Sequence, residues 1–107
     1  MIELDRRLNA FRPDLADVRL EGRVEASRFV EGRPARVVAP VADLRNAPQP
    51  LSAIDTQLLC GEAVLVFDEA EGWAWVQAER DGYVGYAPAE ALSDMAPQPS
   101  HVVISQR

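Results

Sequence analysis

The alternation of aromatic and polar side chains is strongest between Gly72 and Pro88, where four of the seven aromatic residues of the chain fall. The two halves of this segment flank Asp81-Gly82, a dipeptide that suits the positive φ angles of a type I′ turn. Alternation with a period of two on both sides of such a dipeptide predicts a β-hairpin. A hairpin with this many aromatic residues forms either part of a β core or a binding face.

Shorter apolar runs before this hairpin predict further strands. They cover residues 36–39, 41–45, 56–59 and 63–67, and a loop with two prolines follows the second of them. Residues 88–92 are typical of a single helical turn. Five or six short strands with one helical turn indicate a mainly β fold, a small and partly open barrel. The predicted core consists of Val37, Leu44, Leu58, Val64, Val66, Trp73, Val76, Tyr86 and Leu92.

The regions on either side of the barrel have a different pattern. Residues 1–34 are predicted as an N-terminal extension, in which Pro13-Asp14 and Gly22 bracket a short helix of about two turns. Residues 35–94 form the barrel. Residues 95–107 are predicted as a linker that leads, from His101, into a strand or a following domain.

Length and charge narrow the classes of partner. A chain of 107 residues suits one domain, and its net charge of -6 argues against nucleic acid or an anionic membrane as a partner. No apolar run reaches the roughly 18 residues of a membrane span. The charged N-terminal residues lack the apolar region of a secretory signal. We therefore expect a cytoplasmic location, with a periplasmic or cell-wall location as the alternative.

The residues that could carry chemistry are few, because the chain has one cysteine, Cys60, and one histidine, His101. A cysteine peptidase needs a thiolate beside a histidine. Cys60 is predicted at the end of a strand rather than at a helix N-terminus, which would lower the pKa of a thiol. We therefore expect no catalytic pair, no metal site and no cofactor, so the chain by itself is not predicted to be an enzyme.

An ordered set of short motifs between Ala42 and Leu92 resembles a bacterial SH3 domain (SH3b). These motifs are Ala42-Asp43-Leu44-Arg45, Leu59-Cys60-Gly61-Glu62-Ala63-Val64, Gly72-Trp73-Ala74-Trp75-Val76 and Asp81-Gly82-Tyr83-Val84-Gly85-Tyr86-Ala87. A wider set is similar to the N-terminal region of NlpC-type cell-wall peptidases. It adds Asp5-Arg6-Arg7-Leu8-Asn9, Arg12-Pro13-Asp14-Leu15-Ala16 and Phe29-Val30-Glu31-Gly32.

The resemblance implies a non-catalytic recognition module in a papain-like endopeptidase. Enzymes of that family cut the bond between γ-D-glutamate and a diamino acid in peptidoglycan peptides, and recycling-type members act on muropeptides. The implied partners are a peptidoglycan stem peptide and a catalytic domain of the same polypeptide, which this chain lacks. Glu62 and Tyr83 match the family positions that grip the free amine of the N-terminal L-alanine. The alternative is a solvated turn residue at Glu62 and a half-buried strand aromatic at Tyr83.

The remaining aromatic residues have two possible uses. Trp73 is expected in the core, and Trp75 is expected to be partly exposed beneath the extension or the catalytic domain. Trp75, Tyr86 and Cys60 are therefore candidates for an aromatic or interdomain surface; Cys60 stands where the family often has an aromatic residue. The alternative function is a free-standing interaction module that binds a peptide or partner protein through its aromatic face.

Overall fold

A computed structural model describes residues 4–94, and nine β-strands make up most of its regular structure. Two short strands, β1 and β2, pair in parallel, and the other seven form one antiparallel sheet. The strands are β1 (Ala16–Asp17), β2 (Phe29–Val30), β3 (Arg33–Val37), β4 (Val41–Arg45), β5 (Ile54–Leu59), β6 (Ala63–Ala70), β7 (Trp73–Ala78), β8 (Val84–Pro88) and β9 (Leu92–Asp94). The predicted mainly β, SH3-like fold is confirmed.

The seven-stranded sheet has the order β5-β4-β8-β7-β6-β3-β9 and curls on itself. β8 reaches β4 through the pair Arg45 and Tyr86. A side chain at Gly85 would place its Cβ atom 2.7 Å from the Arg45 carbonyl oxygen, so glycine is what permits this approach. On the other side of the barrel, the Gly61 amide donates to the Val37 carbonyl oxygen at 2.8 Å, which ties the β5–β6 turn to the end of β3.

The main core lies inside the curled sheet, where alternate side chains of the strands meet. Six predicted core residues are buried there: Val37, Leu44, Leu58, Val64, Val66 and Val76. Leu92 packs against this cluster while partly buried. In β7 the side chains of Ala74, Val76 and Ala78 point into this core. Because side chains alternate along a strand, Trp73 and Trp75 point to the outer face. The predicted placement of Trp73 in the core is therefore wrong; it is half-buried.

A second, smaller core joins the N-terminal extension to the outer face of the sheet. Ala10 and Leu15 of the extension pack with Phe67, Trp75 and Val84 of the sheet. β6 and β7 are consequently covered on both faces. The pairing of β6 with β7 shifts register between Val66 and Asp68, and this shift allows neighbouring residues of β6 to be buried in succession, one on each face.

The predicted two-turn helix of the extension is absent, and one 3-10 turn at Val18–Leu20 stands in its place. The backbone before it is extended because Ala16 and Asp17 pair with β2 and donate to carbonyls of Arg28 and Ala10. Asp17, which is buried, then caps the 3-10 turn by accepting from the Arg19 amide at 3.0 Å. Because the amides of Ala16 and Asp17 donate to these carbonyls, they are not free to form the hydrogen bonds of a longer helix.

The type I′ turn lies at a different dipeptide from the predicted one. Ala70 pairs with Trp73, so Glu71-Gly72 forms a two-residue hairpin loop between β6 and β7, and both residues have positive φ. At Asp81-Gly82 only the glycine has positive φ, and the β7–β8 connection spans residues 79–83.

The predicted helical turn after β8 is a 3-10 turn at Ala89–Ala91. The predicted linker and following strand at residues 95–107, including His101, lie outside the described residues.

Candidate functional site

Glu62 and Tyr83 lie on two segments that the fold brings to the same end of the barrel. Glu62 belongs to the β5–β6 turn and Tyr83 to the β7–β8 loop. The two segments are joined directly, since the Glu79 amide donates to the Ala63 carbonyl oxygen at 3.1 Å. The side chain that contacts the Glu62 carboxylate, however, is that of Arg80 rather than Tyr83.

The Glu62 carboxylate is held in place by two donors. Its Oε1 atom accepts from the Leu59 amide at 3.2 Å, and its Oε2 atom lies 2.5 Å from an Arg80 nitrogen. Only 17% of the Glu62 side chain is exposed, against 52% for Arg80. The Glu62 carboxylate is therefore held in place just below the surface and is not freely solvated. Its lone pairs exceed these two contacts, because a carboxylate offers about four acceptor sites.

Tyr83 is half-buried and packs against the main core. The backbone of Tyr83 is held by two hydrogen bonds. Its amide donates to Asp81 Oδ1 at 3.2 Å, and its carbonyl oxygen accepts from the Ala78 amide at 2.8 Å. The start of the extension reaches this loop as well, through a bond of 2.7 Å from the Val84 amide to the Arg7 carbonyl oxygen. The loop that carries Tyr83 is thus fixed from both sides.

Arg7 adds a second cation at this end of the barrel. Its pKa is raised above the ordinary value, first by the hydrogen bond to Asp5 and more weakly by the nearby Tyr83 and Asp55. Sequence reasoning did not identify Arg7 or Arg80 as neighbours of the site. The available signal for Arg80 was that it is the one basic residue of the 79–83 loop, and no local pattern signals the position of Arg7.

The aromatic face of Trp75 and Tyr86 is covered. Trp75 is 4% exposed and packs edge-on against Phe67, with ring centroids 5.7 Å apart. The Arg12 guanidinium lies 4.4 Å from the centroid of the Trp75 ring and donates to the Tyr86 hydroxyl at 3.2 Å. The expected partial exposure of Trp75 is therefore wrong, and its cover is the extension. Tyr86 is half-buried rather than a core residue.

Arg12 is held over this face by acidic partners as well. Its Nη2 atom is 2.9 Å from Asp68 Oδ2 and 2.9 Å from Asp14 Oδ2. Burial by itself would lower the pKa of Arg12, but the hydrogen bonds to Asp14, Asp68 and Tyr86 outweigh it and raise the pKa above its ordinary value. Arg12 is charged at all working pH values, so it seals the aromatic face rather than leaving it as a platform for ligands.

Cys60 is a free, exposed cysteine in an apolar part of the surface. Val38, Val41 and Leu59 beside it are each about half exposed. The Cys60 amide donates to the Pro40 carbonyl oxygen, and Val41 pairs with Leu59 across β4 and β5. This position suits an interdomain surface, which stays a prediction.

A groove of about 740 Å³ is lined in part by Trp73. Its apolar lining includes Val41, Pro50, Trp73 and Pro88. This groove, rather than the face of Trp75, is where an aromatic side chain is open to a ligand.

Residues 4–94 lack two further kinds of feature. No group of three His, Cys, Asp or Glu side chains there could hold a metal ion. None of the helical segments in that range is long and apolar enough to cross a membrane.

Comparison with known proteins gives one match. Residues 44–92 match the family described as the bacterial dipeptidyl-peptidase SH3 domain. No curated protein and no solved structure matches the chain. The matched segment covers β5 to β8 in full, the last two residues of β4 and the first residue of β9, and it leaves out β3. The match covers a little under half of the chain, and together with the curled sheet it supports an SH3-like fold that is similar to this bacterial family.

Proposed function

We propose that the chain is the substrate-recognition module of an NlpC-type endopeptidase that cuts peptidoglycan stem peptides. In this proposal Glu62 and Tyr83 bind the free amine of the N-terminal L-alanine, and a separate domain carries the catalytic cysteine and histidine. The observation that carries the proposal is the fixed, shallow Glu62 carboxylate beside the loop of Tyr83. The match to a peptidase-associated SH3 family supports the same class of parent protein.

The chemistry of the site suits an ammonium ion. A carboxylate and a phenol oxygen both accept hydrogen bonds from –NH₃⁺, and a bond to a charged group contributes roughly 1.5–3 kcal/mol. A peptide with a blocked amine leaves these acceptors without a donor. The site would therefore reject N-acetylated peptides by about tenfold or more.

The proposal is tested by titrating the ¹⁵N-labelled chain with L-Ala-γ-D-Glu-meso-diaminopimelate and its N-acetylated form. The free peptide should shift the amides of Glu62, Tyr83 and their neighbours, and the blocked peptide should not. Glu62→Gln should weaken binding about tenfold. Glu69→Gln is the matched control, because Glu69 also pairs with an arginine but lies at the far end of β6. Equal binding of both peptides to the unmodified chain would refute the amine clamp.

The assignment of hydrolysis to another domain has its own test. The chain alone should leave the tripeptide intact during prolonged incubation, as followed by mass spectrometry. Appearance of free diaminopimelate would place catalysis within this chain and overturn that part of the proposal.

A second function, docking of a proline-containing peptide, is favoured by the groove beside Trp73. Extended proline-rich segments dock in grooves lined by aromatic side chains. The chain has two tryptophans, so its spectrum contains two indole N–H signals. A proline-rich peptide in this groove would shift the Trp73 signal and leave that of buried Trp75 in place. A stem peptide at Glu62 would shift neither strongly, which separates the two functions.

A further inference from the structure

The groove of about 740 Å³ beside Trp73 (the Trp73 groove) is lined by three charged side chains that differ in their pairing. Asp43 and Arg45 pair with each other, with an N···O distance of 3.3 Å. Glu90 is exposed and forms no ion pair with any arginine of residues 4–94. The groove therefore has one negative charge that no cation of its own lining compensates.

The end of β8 holds Glu90 close to Trp73. Trp73 pairs with Pro88 across β7 and β8. A 3-10 turn (Ala89–Ala91) follows at once, and its first amide donates to the Gly72 carbonyl oxygen at 2.8 Å. Because this bond ties the turn to the start of β7, the Glu90 carboxylate and the half-buried Trp73 ring lie along one groove.

An indole ring beside an uncompensated carboxylate suits a cation. The face of a tryptophan ring attracts a positive charge, and an arginine can stack flat on it. A stacked guanidinium keeps N–H donors in its plane for a nearby carboxylate. The rest of the groove suits an apolar or proline-containing segment, because its small and apolar lining residues are Ala39, Val41, Ala42, Pro50, Pro88 and Ala91.

We propose that Glu90 is a specificity-determining residue of the Trp73 groove, whose partner is an extended, proline-containing peptide with an arginine next to its prolines. The prolines pack on the apolar lining, and the arginine stacks on Trp73 and donates to Glu90. The net charge of -6 favours the approach of a basic segment and disfavours a second copy of the chain as the occupant. The inference rests on the second function proposed above and is independent of Glu62.

The test titrates the ¹⁵N-labelled 107-residue chain with Ac-Arg-Ala-Pro-Pro-Ala-Pro-Ala-Arg-NH₂ and with a counterpart that has glutamine in place of both arginines. An arginine at each end allows either direction of binding to reach Glu90. The unmodified chain should bind the arginine peptide about fivefold more tightly and should show a shifted Trp73 indole signal. Glu90→Gln should reduce this preference to about twofold or less, because only the stacking on Trp73 remains.

Glu31→Gln is the matched control, because it removes the same charge from another exposed glutamate that lines a different pocket. It should keep the fivefold preference. A preference that falls equally in Glu31→Gln and Glu90→Gln would show a general charge effect and would overturn the specific role of Glu90. A full preference retained in Glu90→Gln would overturn that role as well.

The remaining outcomes separate this inference from the function on which it rests. Equal binding of both peptides, with a shifted Trp73 indole signal, would overturn the role of Glu90 and leave proline docking in place. Absence of binding by both peptides would overturn proline docking and this inference together, without bearing on the amine site at Glu62. Self-association of the free chain through the Trp73 groove, measured by analytical ultracentrifugation, would assign the groove to a second copy and overturn the proposed partner.

Discussion

Among the residues of the extension, Arg12 should contribute most to the free energy that holds the extension on the barrel. Its side chain is 21% exposed, and it combines an ion pair to Asp68, a hydrogen bond to the Tyr86 hydroxyl and a position over the Trp75 ring. Replacing Arg12 with alanine removes all three contacts at once. It also opens the Trp75 ring to water.

The expected loss follows from the separate contacts. The Asp68 and Tyr86 bonds to a charged, largely covered group contribute about 1–2 kcal/mol after allowance for the partial exposure of Asp68. The cation–π contact adds about 1 kcal/mol. The pair with Asp14 adds close to nothing, because Asp14 is mostly exposed. The free energy of unfolding should fall by about 2–3 kcal/mol, which lowers the Tm by about 10–20 °C in a domain of this size.

Urea unfolding followed by tryptophan fluorescence measures this loss. The matched control is Arg33→Ala, which removes two exposed ion pairs and should cost less than about 1 kcal/mol. Arg12→Lys should fall between the two, because lysine keeps the charge but not the planar fork. If Arg12→Ala cost no more than Arg33→Ala, the extension would not depend on this contact and the reasoning would be wrong.

Three further predictions concern the barrel, the tryptophans and acid stability. Gly85→Ala should destabilise the fold by about 1–3 kcal/mol in thermal unfolding, because its Cβ would lie 2.7 Å from a backbone oxygen of β4; Gly82→Ala, where nothing lies within 4 Å, should cost only the strain of its positive φ, about 1 kcal/mol. Acrylamide should quench the emission of Trp73 in a Trp75→Phe variant more than that of Trp75 in a Trp73→Phe variant, and equal quenching would contradict the covered face. The hydrogen bond from Arg12 lowers the pKa of Asp14, so the very small stability that this exposed pair contributes is complete above the ordinary carboxyl pKa and is lost as the pH falls through the lowered pKa; a carboxyl titration by NMR with a midpoint at or above the ordinary value would refute the pairing.

Local pattern was enough to predict most strands of the sheet, although β3 begins at Arg33 rather than at residue 36 and β9 was not predicted. The apolar runs at residues 41–45 and 63–67 became β4 and most of β6, and six aliphatic residues occupy the core as predicted. Alternation fixes which side chains share a face. It does not fix which face points inward, and Trp73, which was expected in the core, lies with Trp75 on the outer face of β7. The inner face of β7 has the smaller side chains, alanine and valine.

The turn and the site depended on contacts between distant residues. Two Xaa-Gly dipeptides were available, and the pairing of Ala70 with Trp73 assigns the type I′ turn to Glu71-Gly72. At the other dipeptide the Gly82 amide reaches back to the Ala78 carbonyl oxygen, which makes a wider loop. That wider loop is what carries Arg80 to Glu62. A tight turn at Asp81-Gly82, as the sequence predicted, would have left Arg80 within the strand.

The N-terminal extension contributes contacts near Tyr83 and over Trp75 that the matched SH3 segment does not contain. Its Arg12 closes the aromatic face, which removes that face as a binding surface, and its Arg7 carbonyl bonds to the amide that follows Tyr83. The family match begins at residue 44 and therefore omits these contacts. The extension thus fixes the backbone of the loop that carries Tyr83, and the β5–β6 turn fixes the Glu62 carboxylate. A site that is fixed in advance loses little conformational entropy on binding, which is what the proposed recognition of a short peptide end requires.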